Sequence, residues 1–404
     1  MIKPRVEDFA LFGGPPIFRE KLHVGCPNSG DRSKFLERLN NILDTRWFTN
    51  NGPYVQEFEQ RIAHMIGVRH CIAACNATIA LEMVIRALDL RGEVIIPSFT
   101  FIATAHALQW QGITPVFADI DPSTHNLDPA SVEQMITPQT SAIIGVHLWG
   151  RPCNIEALAE IAARRRLKLL FDAAHAFGCS HKGRMMGGFG DVEVFSFHAT
   201  KIINSFEGGA AVTNNDVLAD NIRLVRNFGF VGFDNVIRLG INGKMTEVSA
   251  AMGLTSLEAL AGIVEVNRRN YEVYRDGMAG LPGISLMEYD PNERNNYHYI
   301  VTEVDPEKAP LNREELLAVL TKENVLGRRY FWPGCHRMAP YGRLYPNAHT
   351  GLLQTEHVAS QVLALPTGQT ITPEIIQIIC GIIRCAFENA AEIRRLLGKE
   401  PAKV

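Results

Sequence analysis

A lysine and an aspartate in the middle of this chain could act together on a cofactor. Lys201 ends the run FSFHATK at 195–201, and Asp172 follows the apolar stretch 167–171. A lysine that forms a Schiff base needs an aldehyde, and an aspartate at a strand end can keep a pyridinium nitrogen protonated, which makes the ring an electron sink. The pair therefore predicts pyridoxal 5'-phosphate (PLP) as the cofactor.

Short apolar runs alternate with helical patterns around both residues. Strands are predicted at 71–74, 93–96, 115–118, 142–146, 167–171, 192–195 and 210–213, with helical spacing at 77–88, 102–111 and 155–166. This alternation is typical of an α/β domain with a largely parallel, covered sheet. Ligands of such sheets bind at the carboxyl ends of the strands, where Asp172 would lie.

The pattern changes after about Thr246. Long helices are predicted at 247–260 and 264–279, and the segment 283–395 combines a strand at 299–304 with helices at 313–322 and 373–397. A chain of 404 residues is too long for one compact core. We therefore expect a large α/β domain with an N-terminal arm at 1–262 and a smaller C-terminal α+β domain at 263–404.

Charge and composition argue against nucleic-acid and membrane partners. The net charge is −3, and the densest basic run, 164–166, falls where a helix is predicted to end. The apolar segment 375–387 is too short to span a bilayer.

The cysteines and the N-terminus predict a cytoplasmic protein. Eight cysteines are scattered without a C-x-x-C pair, so neither a zinc site nor a disulfide framework is expected. Free thiols are typical of the reducing cytoplasm. The first eight residues also lack the apolar core of a signal peptide.

Three motifs carry a resemblance to a known family. The order Asp172-x-x-His175, Ser196-Phe-His-x-Thr-Lys201 and Glu207-Gly-Gly resembles the DegT/DnrJ/EryC1/StrS family of PLP-dependent sugar aminotransferases, which have fold-type I. The resemblance extends over about 47–366 and weakens after about 265. It implies a large domain with a mostly parallel seven-stranded sheet, a smaller α+β domain and a homodimer with shared active sites.

The resemblance also implies a reaction. An amino donor, by analogy L-glutamate, would convert PLP to pyridoxamine 5'-phosphate. That form would then aminate a nucleotide-linked keto-sugar, with a 4-keto-6-deoxyhexose as the expected acceptor. Such products serve the biosynthesis of cell-surface polysaccharides, including lipopolysaccharide O-antigens, or of natural-product sugars.

Four residues take roles at the cofactor ring by this resemblance. Lys201 would form the Schiff base and, once released, move protons between substrate and cofactor. Asp172 would hold the ring nitrogen, and His175 would lie beside the ring. Phe101 would stack on the ring face, although a phenylalanine at a strand end can equally belong to the core.

Four others would bind the cofactor phosphate. The backbone amide of Ala77 opens a predicted helix, and Thr78 and Ser196 supply hydroxyl groups. Asn76 at the same place can also serve as an ordinary helix N-cap. Asn242 resembles the family asparagine that reaches from the neighbouring subunit.

The chain departs from the family pattern at four positions. Asn76 and Ala77 stand where relatives have Ser-Gly, so phosphate binding requires a negative φ at Ala77. Lys244 replaces a common arginine, which weakens a bidentate contact to an anion. Phe206 replaces a glycine before Glu-Gly-Gly, and an aromatic residue there is expected to adopt an ordinary φ.

Four residues are candidates for binding the sugar substrate. His147 resembles a strand-end motif near the cofactor, and Arg329, Tyr330 and His336 fall in a region that lines the sugar site in the family. Arg329 and its neighbour Arg328 could pair with a diphosphate. Paired surface arginines and an aromatic core of the small domain are the alternatives.

Other functions within and beyond the family remain open at this stage. A cyclitol (inosose) aminotransferase is compatible with the same motifs. A sugar dehydratase of this family would carry histidine in place of Lys201. A non-catalytic regulatory homologue would be expected to lose Lys201 or Asp172, and both are present.

Overall fold

A twisted sheet of seven strands forms the centre of the computed structural model, which describes residues 6–348 and 351–398. The strands are β1 (His70–Ala74), β2 (Glu93–Pro97), β3 (Thr114–Ala118), β4 (Thr140–Val146), β5 (Lys168–Asp172), β6 (Val192–Ser196) and β7 (Gly209–Thr213). Their order is β1-β7-β6-β5-β4-β2-β3. Strand β7 runs antiparallel to β1 and β6, and the other neighbours are parallel. The predicted mostly parallel sheet is confirmed.

Helices cover both faces of this sheet. They are α1 (Arg32–Thr45), α2 (Pro53–Ile66), α3 (Ala77–Ala87), α4 (Ile102–Gln109), α5 (Pro129–Met135), α6 (Ile155–Arg165) and α7 (Asp216–Arg226). Neighbouring residues of one strand belong to different apolar clusters: Ile143 packs with Phe58 of α2, and Ile144 packs with Val84 of α3. Because successive side chains of a strand point to opposite faces, the unbroken apolar runs reflect burial on both sides.

The next helix corrects one prediction. Residues predicted as two helices form one, α8 (Glu247–Met278). Its interior Gly262 has open space around it, and the helix packs against α1, α2 and α12 (Pro373–Glu388). Tertiary packing therefore overrides the weak helix propensity of glycine. The division proposed at 262/263 falls inside α8 and stays a prediction.

Helix α8 is also long and apolar enough to cross a membrane by length and composition. More than half of its most apolar window is buried inside the protein. Ser256, Asn267 and Asn270 are among its buried residues. Burial against neighbouring elements accounts for its apolar composition as a core helix.

The C-terminal part packs a small antiparallel sheet against helices. Its strands are β8 (Ile284–Leu286), β9 (Ile300–Val304) and β10 (Val362–Leu365), in that order. Its helices are α9 (Arg313–Lys322), α10 (Ala339–Leu344), α11 (Leu353–Gln361), α12 and α13 (Ala390–Leu397). The helix predicted at 373–397 is broken at Asn389, where φ is −109° and ψ is 20°.

The remaining regular structure among the described residues consists of two-residue strands and short 3₁₀ helices. The strand pairs are Leu22–His23 with Val325–Leu326, Ser180–His181 with Arg184–Met185, and Phe230–Val231 with Asn235–Val236. The 3₁₀ helices are Val6–Asp8, Ala10–Phe12, Leu148–Gly150 and Cys335–Arg337. One apolar cluster joins Phe99 and Trp149, from strand-end loops of the large sheet, to Ile300 and Phe331 of the C-terminal part. The carboxyl edge of the large sheet is thereby covered.

Candidate active site

The register of the large sheet brings the predicted cofactor residues to one edge. Asp172 is the last residue of β5 and Ser196 the last of β6, and these strands are parallel neighbours. Gly209 opens β7 opposite both Ser196 and Ala74. Helix α3 begins three residues after Ala74. The helix start, the hydroxyl group and the carboxylate therefore lie at the same edge of the sheet. We call this region, at the carboxyl ends of the parallel strands, the crevice.

Asp172 is a buried carboxylate with fixed orientation. Thr104 of α4 donates its hydroxyl to Oδ2 at 2.8 Å, and the backbone amide of Ala174 donates to Oδ1 at 3.1 Å. Burial raises the pKa of Asp172, against the opposing effects of these hydrogen bonds and of the nearby Lys201 charge. A carboxylate held in this way is suited to accept a hydrogen bond from a protonated ring nitrogen.

Lys201 lies on the turn after β6, and its amine is enclosed. Its Nζ donates to the hydroxyl of Tyr299 at 3.1 Å. Burial lowers the pKa of Lys201 to about 8, and the carboxylate of Asp172 raises it in opposition. An amine with this pKa is partly neutral near neutral pH, as a nucleophile and base must be.

His175 lies on the short turn after β5, among aromatic side chains. Its ring is 4.4 Å from that of Tyr299 and stacks on Trp149 at 5.7 Å between centroids. The backbone amide of Trp149 donates to Nδ1 at 3.3 Å. Burial, together with the Lys201 charge, puts the pKa of His175 well below its ordinary value. His175 is therefore neutral.

The start of α3 has the features of an anion site. Asn76 caps the helix by accepting the amide of Ile79 at 2.8 Å, which leaves the amides of Ala77 and Thr78 for a ligand. Ala77 is the first helical residue and has no positive φ, so the condition set by the sequence is met. A Cβ on Gly209 would lie 2.6 Å from the Ala77 nitrogen. Glycine there permits this close approach of two backbone segments.

The remaining cofactor candidates are exposed to solvent. Phe101 is 57% exposed and precedes α4, with its ring 6.4 Å from Phe331. Asn242 is exposed and forms a β-bridge with Asn227. Lys244 donates to the Asn227 side chain at 3.0 Å, with its Nζ 4.9 Å from the Phe228 ring centroid.

Comparison with known proteins agrees with this geometry. The model of the DegT/DnrJ/EryC1/StrS aminotransferase family matches residues 30–384. The chain belongs to this family. Its members depend on PLP, and the buried amine, the buried carboxylate and the anion site described above fit that cofactor.

Individual relatives match over nearly the whole chain. A dTDP-4-amino-4,6-dideoxy-D-glucose transaminase of Shigella dysenteriae is 38% identical over 91% of this chain and 98% of its own length. A GDP-perosamine synthase of Caulobacter vibrioides is 35% identical over 87% and 94%. The crystal structure of DesI with its TDP-sugar product superposes with a TM-score of 0.92, at 48% identity over 98% and 99% of the two chains.

Two predicted substrate residues of this aminotransferase are enclosed by protein. His147 is fully buried, with its ring stacked at 4.5 Å on Phe171 and its Nε2 3.4 Å from Glu193. His336 is 2% exposed and shares a 2.6 Å hydrogen bond with Ser98. The structure assigns both histidines contacts inside the protein, and their contact with a sugar stays a prediction.

The other two lie nearer to solvent. Arg329 pairs with Glu314 at 3.0 Å, and its guanidinium lies 4.6 Å from the ring centroid of Trp332. Tyr330 is half-buried and stacks on Phe331 at 5.1 Å. Phe331 in turn stacks on Trp149 at 5.5 Å, and Trp149 stacks on His175. The aromatic contacts therefore extend from Tyr330 to His175.

Several side chains at the site of this aminotransferase were not predicted from the sequence. Thr104 orients Asp172, Tyr299 holds Lys201, and Trp149 packs on His175. Thr104 stands in the first turn of α4, after the Phe99–Phe101 segment, and this position is only a weak signal of a role at the site. Tyr299 is 98 residues from Lys201, and no local pattern indicates their contact.

Phe206 corrects another expectation. Its φ is +59°, in the left-handed region and not in an ordinary one. The turn that carries Lys201 closes here, because the Phe206 carbonyl accepts the amide of Ala199 at 2.7 Å and its own amide donates to Asn204 Oδ1 at 2.8 Å. The ring packs edge-on against Phe35 at 5.7 Å. Closure of the turn thus imposes the conformation that glycine would adopt without strain.

Proposed function

We propose that this aminotransferase converts a dTDP-linked 4-keto-6-deoxyhexose to the 4-amino sugar, with L-glutamate as the amino donor. The observation that carries the transfer chemistry is that the Lys201 amine, whose pKa burial lowers, and the buried Asp172 carboxylate are near enough for each charge to shift the pKa of the other. Support for the acceptor comes from the names of the relatives, two of which refer to a dTDP- or TDP-sugar. The donor rests on analogy with other transaminases.

Each residue of the crevice has a defined task in this reaction. Bound PLP supplies an aldehyde and a ring that accepts electrons. Asp172 keeps a proton on the ring nitrogen, because its carboxylate is fixed by Thr104 and Ala174. The amides of Ala77 and Thr78 would hold the phosphate with the Ser196 hydroxyl.

Lys201 moves the proton. Its Nζ would hold PLP through the aldehyde and, as a free amine, would accept a proton from the substrate carbon and later give it up. Tyr299 accepts a hydrogen bond from this amine at 3.1 Å, which keeps the free amine in the crevice. His175 and Trp149 form a wall that excludes water.

A homodimer with shared sites is part of the proposal. Phe233, Ile237 and Leu239, around the hairpin at 230–236, are 97%, 59% and 77% exposed. Clustered exposed apolar side chains mark interaction surfaces. Asn242 belongs to the same exposed segment and would reach the partner's phosphate.

We also infer a cytoplasmic location, supported by the eight free thiols.

The visible absorption spectrum of purified protein tests the donor step first. A yellow form that bleaches with excess L-glutamate supports the proposal, and colourless protein that stays colourless with PLP contradicts it. The bleached protein is then mixed with dTDP-4-keto-6-deoxy-D-glucose, a GDP-linked 4-keto-6-deoxyhexose and an inosose in separate samples. Return of the colour with the dTDP-sugar alone, and a product of matching mass, supports the acceptor. Return with the inosose alone would instead identify a cyclitol aminotransferase.

A further inference from the structure

The segment Asn296–Tyr299, which directly precedes β9, contacts both turns that carry the proposed catalytic residues. We call this segment the clasp. His298 Nε2 lies 2.8 Å from the carbonyl oxygen of Thr200, and Tyr299 receives the hydrogen bond from Lys201 Nζ at 3.1 Å. Two consecutive residues of the clasp thus bind two consecutive residues of the lysine turn. One contact fixes the backbone and the other fixes the amine.

The clasp also holds the turn of Asp172 and His175. Asn296 is fully buried, and its Nδ2 donates to the carbonyl groups of His175 at 2.8 Å and Phe177 at 3.1 Å. Its Oδ1 accepts the amide of His298 at 3.1 Å. From helix α8, Asn267 donates to the Asn296 carbonyl at 3.2 Å. One segment therefore connects both turns to each other and to the long helix.

His298 acts as a neutral donor in this arrangement. A carbonyl oxygen only accepts hydrogen bonds, so the proton of the ring lies on Nε2. Burial lowers the pKa of His298 to about 4, which keeps the ring uncharged beside the lysine turn. Its Nδ1 is buried without a hydrogen-bond partner among the described residues. The hydrogen bond to the Thr200 carbonyl is therefore the one hydrogen bond that this ring makes among the described residues.

We propose that the clasp positions Lys201 against Asp172 and that His298 is a positioning residue, acting through the carbonyl of Thr200. This inference rests on the role of Lys201 in the proposed function. His298 has no chemical step of its own. It fixes the direction in which the lysine leaves its turn, and a displacement of about 1 Å at a reacting group can cost about 100-fold in rate.

The test compares two substitutions of His298. His298→Phe keeps a planar ring and removes the donor. His298→Gln places an amide N–H the same number of bonds from Cβ and keeps it. His106→Phe is the matched control, because His106 is a half-buried histidine of α4 that bonds Tyr341 at 2.7 Å and belongs to neither of the two turns.

The readout is the capture of PLP by Lys201, which needs no sugar. Each protein is mixed with PLP, reduced with borohydride at timed intervals and digested, and the labelled fraction of the peptide containing Lys201 is measured by mass spectrometry. We expect capture to slow about 10- to 100-fold in His298→Phe and to return to near the wild-type rate in His298→Gln. His106→Phe should match the wild type.

Two results would overturn the inference. One is capture at the wild-type rate by His298→Phe. The other is an equal loss in both His298 variants, which would assign the ring a packing role alone. Thermal unfolding of each variant identifies a general loss of structure, and the Gln variant keeps the test valid if the Phe variant is unstable. If wild-type protein captures PLP at Lys201 but aminates no sugar, the proposed acceptor is wrong while the clasp is still tested.

Discussion

The proposed cofactor side and the proposed sugar side of the site are built in different ways. On the cofactor side, Asp172 and Ser196 end neighbouring parallel strands, and hydrogen bonds of the sheet fix their spacing. On the sugar side, Arg329 and Tyr330 follow no strand of the large sheet. Side-chain contacts with Glu314, Trp332 and Phe331 hold them.

This difference separates common chemistry from specificity. The backbone hydrogen bonds of a sheet tolerate many side-chain replacements. The spacing of the residues at the strand ends can therefore be kept while other residues change. Side-chain contacts change with each replacement, and pocket shape selects between similar substrates. Variants on the cofactor side should therefore affect turnover strongly, and variants on the sugar side should affect mainly KM.

The largest effect is expected from Lys201→Ala. Removal of the amine that we propose moves the proton should lower turnover by about 10²- to 10⁴-fold, with little change in the thermal unfolding midpoint. The measurement is steady-state transamination of the dTDP-sugar. Lys168→Ala is the matched control, because Lys168 is an exposed lysine at the opposite end of β5 from Asp172. Turnover above a tenth of the wild-type rate in Lys201→Ala would exclude the proposed role.

The pH dependence of PLP capture tests the coupling of Lys201 to Asp172. Capture needs the neutral amine, and burial lowers the Lys201 pKa to about 8. The rate should therefore rise with pH and level off above about 8, well below the value near 10.4 of an ordinary lysine. Asp172→Asn removes a charge that raises this pKa, so the rise should move to lower pH.

Asp191→Asn serves as the control for that experiment. Asp191 is a half-buried carboxylate whose oxygen lies 3.5 Å from Lys168, away from the crevice. Its substitution should leave the midpoint of the pH curve unchanged. An unshifted curve in Asp172→Asn would mean that the carboxylate and the amine do not interact as the structure indicates.

A smaller effect is expected from Arg329→Ala. Exposed ion pairs contribute up to about 1 kcal/mol, which corresponds to about a fivefold change in affinity. If Arg329 exchanges Glu314 for the diphosphate, KM for the nucleotide-linked sugar should rise by about that factor with unchanged kcat. Glu314→Gln frees the guanidinium and should lower KM. Unchanged KM in both variants would limit Arg329 to a surface contact.

Strand ends were predictable from the sequence because topology determines them. Apolar runs identified the seven strands. Parallel topology then places the residues that follow the strands at one edge of the sheet, so no side-chain contact had to be known in advance. Helix α8 was predicted as two helices, but packing of the helix as a whole against α1, α2 and α12 keeps it continuous through Gly262. The existence of long, strongly periodic helices was thus predictable, but the continuity of α8 through a stretch with a weak helical pattern was not.

Contacts between distant segments were not predictable in the same way. His147 and His336 were identified from motifs, but burial of their rings depends on Phe171, Glu193 and Ser98, which no local pattern connects to them. The clasp was missed for the same reason, because Tyr299 and Lys201 meet only after the small sheet packs on the large one. Sequence patterns describe local structure, whereas side-chain partners depend on the assembled fold.

The smallest effect is expected at Phe206, where sequence and structure disagree on the backbone. A β-carbon in the left-handed region costs about 1 kcal/mol, and glycine avoids that cost but gains freedom in the unfolded chain. Both Phe206→Ala and Phe206→Gly lose the edge contact with Phe35, so their difference isolates the strain. We expect the glycine variant to be more stable than the alanine variant by up to about 1 kcal/mol in urea unfolding. Equal stability of the two would mean that the turn relaxes when the ring is removed, and that the ring, rather than turn closure, imposes the positive φ.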